Sequence, residues 1–83
     1  MKFGQAIEAL KEGKKVAREG WNGKRMWLIL VKDFTRGKRE LGGETLNMYP
    51  YIMMKTADNC FVPWLASQTD ILAEDYTTIE GGK

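Results

Sequence analysis

Arg25-Met26-Trp27-Leu28-Ile29-Leu30-Val31-Lys32 is the stretch that decides the fold. Six bulky apolar residues follow one another between charged residues, and two of the six are β-branched. The run is too short for a helix, and bulky apolar and β-branched residues are typical of a strand. It predicts a strand at the centre of a sheet, with Trp27 in the hydrophobic core.

The sequence before this strand predicts a helix and a second strand. Residues 4–12 carry apolar side chains at helical spacing, and Gly13 supplies the left-handed residue at which such a helix ends. Lys15-Val16-Ala17-Arg18 alternates as a short strand does, with Val16 pointing inward. Both elements precede a turn that contains Gly20.

The sequence after the central strand predicts a hairpin and a closing strand. Residues 51–56 and 60–62 read as two strands joined by the turn Ala57-Asp58-Asn59. Pro63 cannot donate a ladder hydrogen bond, so the second of these strands should end there. Residues 76–79 have high strand propensity and should close the sheet.

The segment 33–47 is polar and contains glycine, and we interpret it as a mobile excursion with at most one turn of helix. A helical turn is expected through Ile71, Leu72 and Ala73. The predicted fold class is therefore α+β, a small and mostly antiparallel β-sheet with an N-terminal helix and a short C-terminal helical turn. We expect residues 1–83 to form a single domain.

Composition excludes several classes of function. The 83 residues are 43% hydrophobic and 29% charged, as in globular domains, and no apolar run is long enough to cross a bilayer. The formal net charge is only +2, so neither a nucleic acid polymer nor a membrane is the expected partner. Charged residues interrupt the N-terminus before a signal-peptide core can form, so we expect a cytoplasmic protein. A core of this size is marginal for stability, which favours oligomerisation.

Catalysis finds little support in the sequence. The chain has no histidine, no Cys/His or Ser/His pairing and no phosphate-binding Gly-x-x-x-x-Gly-Lys loop. Its single cysteine, Cys60, lies in a predicted strand and is interpreted as a small buried apolar residue. No acidic residues have the spacing of metal ligands. We expect no enzyme activity, no cofactor and no metal.

Two clusters around tryptophan have the chemistry of a binding site. Trp21 stands among Arg18, Asn22 and Gly23, and Trp64 is released from the sheet after Pro63. Aromatic rings stack on nucleobases with about 1–3 kcal/mol per base, so both indoles are candidates for holding a free nucleotide. The alternative is that each ring fills the core and its N–H group donates to a backbone carbonyl.

Ser67-Gln68-Thr69-Asp70 also has two interpretations. Ser67 and Asp70 stand at the spacing of a capping box, in which each side chain accepts a hydrogen bond from the other residue's backbone amide. Capping leaves Gln68 and the hydroxyl of Thr69 unexplained, and Asp70 could accept hydrogen bonds from ribose hydroxyls or from a base edge. The segment is therefore a candidate second half of a ligand site.

Three motifs resemble a family of small phage and prophage proteins. They are Leu-Lys-Glu-Gly-Lys-Lys-Val at 10–16, Arg-Glu-Gly-Trp-Asn-Gly at 18–23 and Pro-Trp-Leu-Ala-Ser-Gln-Thr-Asp-Ile-Leu-Ala-Glu-Asp-Tyr at 63–76. The chain resembles the second type of Thoeris anti-defence protein over nearly its whole length, apart from 33–47. A pocket-edge loop commonly sets ligand choice, so that segment is where specificity should differ.

The resemblance implies a sponge rather than an enzyme. Such proteins bind a cyclic ADP-ribose isomer, the immune signal made by bacterial TIR-domain proteins, and keep it from its effector in the cytoplasm of the infected bacterial host. The resemblance further implies that some relatives bind cyclic oligonucleotide signals at sites separate from the one for the cyclic ADP-ribose isomer. The resemblance also implies a homotetramer with interfacial pockets, in which one protomer gives a wall to its neighbour's site.

Site residues follow from the resemblance by motif. Trp21 would stack on the ligand, with Asn22 and Gly23 shaping that wall, while Ser67, Thr69 and Asp70 would donate or accept hydrogen bonds. The full expected ligand-binding set is Trp21, Asn22, Gly23, Trp64, Ser67, Gln68, Thr69 and Asp70, with Arg18, Lys24 and Tyr51 at the pocket edge. The alternative function, from a different class, is a protein-interaction module that docks a host protein through its tryptophan patch.

Overall fold

A computed structural model of the chain describes residues 1–21, 25–32, 38–47 and 49–79. These residues form two helices and seven strands, together with one turn of 3-10 helix at Glu19–Trp21. The helices are α1 (Phe3–Lys11) and α2 (Gln68–Leu72). The strands are β1 (Lys15–Arg18), β2 (Trp27–Val31), β3 (Lys38–Leu41), β4 (Glu44–Asn47), β5 (Tyr51–Lys55), β6 (Phe61–Pro63) and β7 (Tyr76–Ile79).

Five of the strands form one sheet in the order β6-β5-β2-β1-β7, and every pair in it is antiparallel. The apolar run at 25–32 does provide the central strand, because β2 pairs with β1 through Val16 and Leu28 and with β5 through Leu28 and Met54. The α+β prediction, with its N-terminal helix and short helix near the C-terminus, is confirmed.

The core lies on one face of this sheet. Val16, Leu28 and Tyr76 are at most 1% exposed and pack beneath α1, which contributes Ala6 and Leu10. The helix ends as the sequence predicts. Gly13 has φ +90°, and its N–H donates to the carbonyl of Leu10 at 2.9 Å in the turn that closes the helix. β1 follows this turn and lies in the sheet between β2 and β7.

The opposite face carries no helix in the described parts of the chain, and Trp27 lies there. Successive residues of a strand point to opposite faces, so Trp27 points away from the side chain of Leu28. The prediction that Trp27 belongs to the core is therefore wrong: its ring is half-buried and meets the Phe61 ring edge-on with centroids 6.0 Å apart. The Nζ of Lys15 lies 4.3 Å from the Trp27 ring centroid.

The interpretation of 33–47 as an excursion with at most a helical turn is also wrong in its described part. Residues 38–47 form a two-stranded antiparallel ribbon of β3 and β4. Gly42 and Gly43 have φ of +60° and +82°, which is the backbone of a two-residue hairpin turn with both central residues left-handed. The glycines that suggested an irregular loop are the turn of a hairpin.

The hairpin of β5 and β6 forms as predicted, with Asn59 in its turn at φ +67°. Cys60 lies in this turn and is exposed, so the expectation of a buried cysteine is wrong. β6 ends at Pro63, and the chain then crosses from the β6 edge of the sheet to the β7 edge. This crossing, residues 64–75, carries Trp64 and α2.

Neither of the two helices is long and apolar enough to span a membrane, within the residues that the structure describes.

Candidate functional site

Trp21 and Trp64 lie side by side within one chain. Their ring centroids are 6.4 Å apart and their planes are inclined by 82°, an edge-to-face arrangement. Both rings are half-buried against the core, and Trp64 also meets the ring of Phe3 at 6.5 Å. The two tryptophan clusters of the sequence therefore meet without help from a second protomer.

A concavity of about 280 Å³ lies beside Trp21. We call it the Trp21 cavity. Its wall combines an indole, two guanidinium groups, a carboxylate, a hydroxyl and apolar carbon. The lining residues are Ala17, Arg18, Glu19, Trp21, Arg25, Met26, Thr77 and Ile79.

Arg25 gives the Trp21 cavity an exposed cation. Its backbone has φ +54°, a left-handed conformation that residues other than glycine adopt at a cost of order 1–3 kcal/mol. The carbonyl of Arg25 accepts a hydrogen bond from the Nζ of Lys55 at 2.9 Å, and this contact helps to hold the unusual backbone. Strained backbone of this kind is found preferentially at ligand sites.

Arg18 links the cavity to the crossing segment through two carboxylates. Its Nε donates to Oδ1 of Asp75 at 2.9 Å, and its Nη1 donates to Oδ1 of Asp70 at 2.8 Å. The three side chains are between 17% and 29% exposed, so solvent screens these contacts only in part. We call this group the Arg18 cluster.

The Arg18 cluster shifts the pKa of each of its members. The hydrogen bond to Asp75 raises the pKa of Arg18, and the same bond lowers the pKa of Asp75. Burial raises the pKa of Asp70, but hydrogen bonds from Ser67 and Arg18 outweigh it, so the pKa of Asp70 is also lowered. At neutral pH the cluster is therefore one cation held between two carboxylates.

These lowered pKa values predict an acid-sensitive fold. A carboxyl whose pKa is lower in the folded chain binds fewer protons there than in the unfolded chain, so protonation favours unfolding. The free energy of unfolding should hold steady from pH 7 to about pH 5 and fall as the pH drops through the ordinary carboxyl range near 4. Urea unfolding at pH 7 and pH 3 measures the loss. The loss should be smaller in Asp75→Asn, and an equal loss in that variant would contradict the assignment.

Ser67 and Asp70 form the predicted capping box. Asp70 N–H donates to Ser67 Oγ at 3.1 Å, and Ser67 N–H donates to Asp70 Oδ2 at 3.0 Å. The Oδ2 atom also lies 2.9 Å from Ser67 Oγ, while Oδ1 faces Arg18. Both carboxylate oxygens of Asp70 thus already have partners within the chain.

The other expected residues of this segment lie at the surface. Ser67, Gln68 and Thr69 are exposed, and the Ser67 and Thr69 hydroxyl oxygens are 2.8 Å apart. None of the three lines the Trp21 cavity. Tyr51 stands opposite Val31, at the far end of β2 from Trp27. The predicted site residues Asn22, Gly23 and Lys24 lie outside the described residues.

Asp75, Arg25 and Thr77 were not among the site residues predicted from the sequence. Thr77 enters the cavity because β7 pairs with β1 and sets Thr77 opposite Ala17. Asp75 lies beside the turn that carries Trp21 because its backbone carbonyl accepts a hydrogen bond from Glu19 N–H at 2.9 Å. This contact joins residues that are far apart in sequence. The only feature of the sequence that pointed to Arg25 is its place among the basic residues that precede β2.

Fold and cavity together define a small α+β protein with one covered sheet face and an aromatic, cationic cavity. A family model described as Tad2-like, the Thoeris anti-defense 2-like domain, matches residues 1–79. A Bacillus phage SP01 protein named Thoeris anti-defense 2 is 45% identical over an alignment of 85 positions that covers 95% of this chain and 94% of that protein. The chain therefore belongs to the Thoeris anti-defence 2-like family, as its motifs predict.

Proposed function

We propose that this protein is a phage anti-defence sponge that binds a cyclic ADP-ribose isomer, or a related cyclic nucleotide, and withholds it from its Thoeris effector. The observation that carries the proposal is the Trp21 cavity, where an indole and the exposed Arg25 guanidinium share one wall. Family membership supports the biological role, since the related phage protein is named for anti-defence against Thoeris. The action would take place in the cytoplasm of the infected bacterial host.

The wall of the cavity suits the parts of such a ligand. The Trp21 indole can stack on adenine, and base stacking on aromatic side chains contributes about 1–3 kcal/mol per base. Arg25 can form charge-assisted hydrogen bonds with a diphosphate, the strongest polar contacts open to it. Thr77 adds a hydroxyl for a ribose. Asn22 and Gly23 are proposed to shape the same wall, on the strength of the family motif.

The second tryptophan segment has a supporting role in this proposal. Trp64 packs edge-to-face against Trp21 and so limits how far the Trp21 ring, which is proposed to stack on the ligand, can tilt. The exposed Ser67, Gln68 and Thr69 remain candidates for polar contacts with the ligand. Asp70 supports the site indirectly, because one of its carboxylate oxygens accepts a hydrogen bond from Arg18 and the other accepts one from Ser67.

We propose that the working form is a homotetramer with pockets completed at protomer interfaces. Ligand pockets usually enclose about 300–1,000 Å³, and the Trp21 cavity, at about 280 Å³, falls just short of that range. The sheet face around Trp27, which no helix covers among the described residues, is a surface that a second protomer can cover; Phe61, on this face, is 58% exposed. Sedimentation equilibrium should give four protomers, and a monomer with full ligand affinity would contradict this assembly.

Sequestration requires that the ligand return unchanged. No group of three acidic, histidine or cysteine side chains is placed to hold a metal within the described part of the chain, and histidine is absent from the sequence. The test is to incubate the protein with a cyclic ADP-ribose isomer, remove free ligand, denature the protein by heat and analyse what is released. A sponge returns the intact isomer. Hydrolysis products would identify an enzyme, and no recovered nucleotide would favour a module that docks a host protein.

A further inference from the structure

The two tryptophans of the candidate site lie outside the strands, on a turn that follows β1 and on a crossing that ends at its partner strand β7. Trp21 ends the 3-10 turn after β1, and Trp64 opens the crossing after β6. Their edge-to-face geometry therefore depends on contacts that tie the turn to the crossing. The Arg18 cluster supplies such contacts.

Asp75 holds the turn that carries Trp21. Its Oδ2 accepts a hydrogen bond from Gly20 N–H at 3.1 Å, and its backbone carbonyl accepts from Glu19 N–H at 2.9 Å. Two consecutive amides of the turn are thus bound to one residue of the crossing. Oδ1 of the same carboxylate faces Arg18.

Asp70 holds the part of the crossing that follows Trp64. It caps α2 through Ser67, and its backbone carbonyl accepts a hydrogen bond from the buried Tyr76 hydroxyl. The ring of Tyr76 lies 5.9 Å from that of Phe3, which in turn packs on Trp64. The position of Asp70 is thereby coupled to the position of the Trp64 ring.

We infer that Arg18 is a positioning residue that fixes the distance and angle between Trp21 and Trp64, and that ligand affinity at the Trp21 cavity depends on this. The part that concerns affinity rests on the proposed function. Arg18 can do this because a guanidinium presents donors in a rigid planar fork, with Nε directed at Asp75 and Nη1 at Asp70. A lysine at the same position keeps the charge but has a single flexible ammonium, so it does not present two donors in the fixed directions of Asp75 and Asp70.

The test compares Arg18→Lys with the unaltered protein by circular dichroism in the far ultraviolet. Two indoles this close couple their electronic transitions, and the paired signal depends steeply on their separation and angle. Trp64→Phe supplies the spectrum without the pair, and Trp27→Phe is the matched control that should keep it. Arg18→Lys is expected to lose at least half of the paired signal at a temperature where the protein remains folded.

Ligand affinity is the second readout. The same Arg18→Lys protein should bind a cyclic ADP-ribose isomer about tenfold more weakly, equivalent to about 1.4 kcal/mol. Lys11→Gln, which removes an exposed ion pair with Glu8, should leave signal and affinity unchanged. A lower melting temperature with signal and affinity intact would overturn the inference, because Arg18 would then only stabilise the fold.

The two readouts separate this inference from the proposed function. Loss of the paired signal in Arg18→Lys supports the positioning role even if the unaltered protein binds no nucleotide, a result that would refute the sponge instead. Tight nucleotide binding with the same signal and affinity in both proteins refutes the positioning role and leaves the sponge standing.

Discussion

Replacing Trp21 by alanine is expected to weaken binding of a cyclic ADP-ribose isomer by about 5- to 150-fold. This range is the affinity equivalent of the 1–3 kcal/mol that one stacked base gains from an aromatic side chain. Among the described residues that line the Trp21 cavity, Trp21 is the one aromatic side chain, so no other described ring of the lining can replace it. Isothermal titration calorimetry of the two proteins measures the difference.

Two further variants show whether the loss comes from the ring. Trp21→Phe keeps an aromatic face and should bind between the unaltered protein and Trp21→Ala. Tyr49→Ala deletes an aromatic side chain that is 90% exposed and outside the cavity lining, and it should bind normally. Trp21 also packs against the core, so each variant must first give a folded spectrum. Unchanged affinity in a folded Trp21→Ala protein would place the ligand elsewhere.

Replacing Leu28 by alanine is expected to reduce the free energy of unfolding by about 2–5 kcal/mol. Leu28 is 1% exposed in the central strand, where it stands between Val16 of β1 and Met54 of β5. The neighbouring strands fix the backbone on both sides, so the cavity left by the deleted atoms cannot close easily. For a small domain, whose total stability is about 5–15 kcal/mol, this is a large fraction.

Urea unfolding measures this loss, and Leu72→Ala is the matched control. Leu72 is 76% exposed on α2, so the same change of side chain should alter stability by no more than about 0.5 kcal/mol. Equal losses in the two variants would mean that the core does not lie on the Leu28 face of the sheet.

The elements that the sequence predicted well are those with a local physical cause. The apolar run around Leu28 favours a strand at the centre of the sheet, where β2 lies, and Gly13 could end a helix at little cost in backbone strain. The capping box of Ser67 and Asp70 is likewise a contact between residues three positions apart, and the structure shows both of its hydrogen bonds.

The features that the sequence did not predict depend on contacts between distant residues. Trp27 was expected in the core because its strand is apolar throughout, but only the position of the helices decides which face they cover. The glycine pair at Gly42 and Gly43 is equally compatible with a loop and a hairpin turn, and pairing of β3 with β4 selects the hairpin. Asp75 reaches the turn of Trp21 across more than fifty positions of the chain.

The candidate site was predicted in its residue types more than in its geometry. Trp21 and Arg18 both line the Trp21 cavity, and their contact with a ligand stays a prediction. Asp70 was expected to face a ligand, and its carboxylate instead has partners in Ser67 and Arg18. We therefore propose that the ligand contacts the wall of the Trp21 cavity and that the carboxylates of Asp70 and Asp75 position this wall.

The central claim is that a cyclic ADP-ribose isomer binds against the Trp21 ring, and nuclear magnetic resonance of the ¹⁵N-labelled indole groups tests it most directly. The three tryptophans give separate indole N–H signals, which single Trp→Phe variants assign. On titration with the isomer, the chemical shift of the Trp21 indole N–H signal should change until the site is saturated. A Trp21 signal that stays in place at saturating ligand would contradict the account.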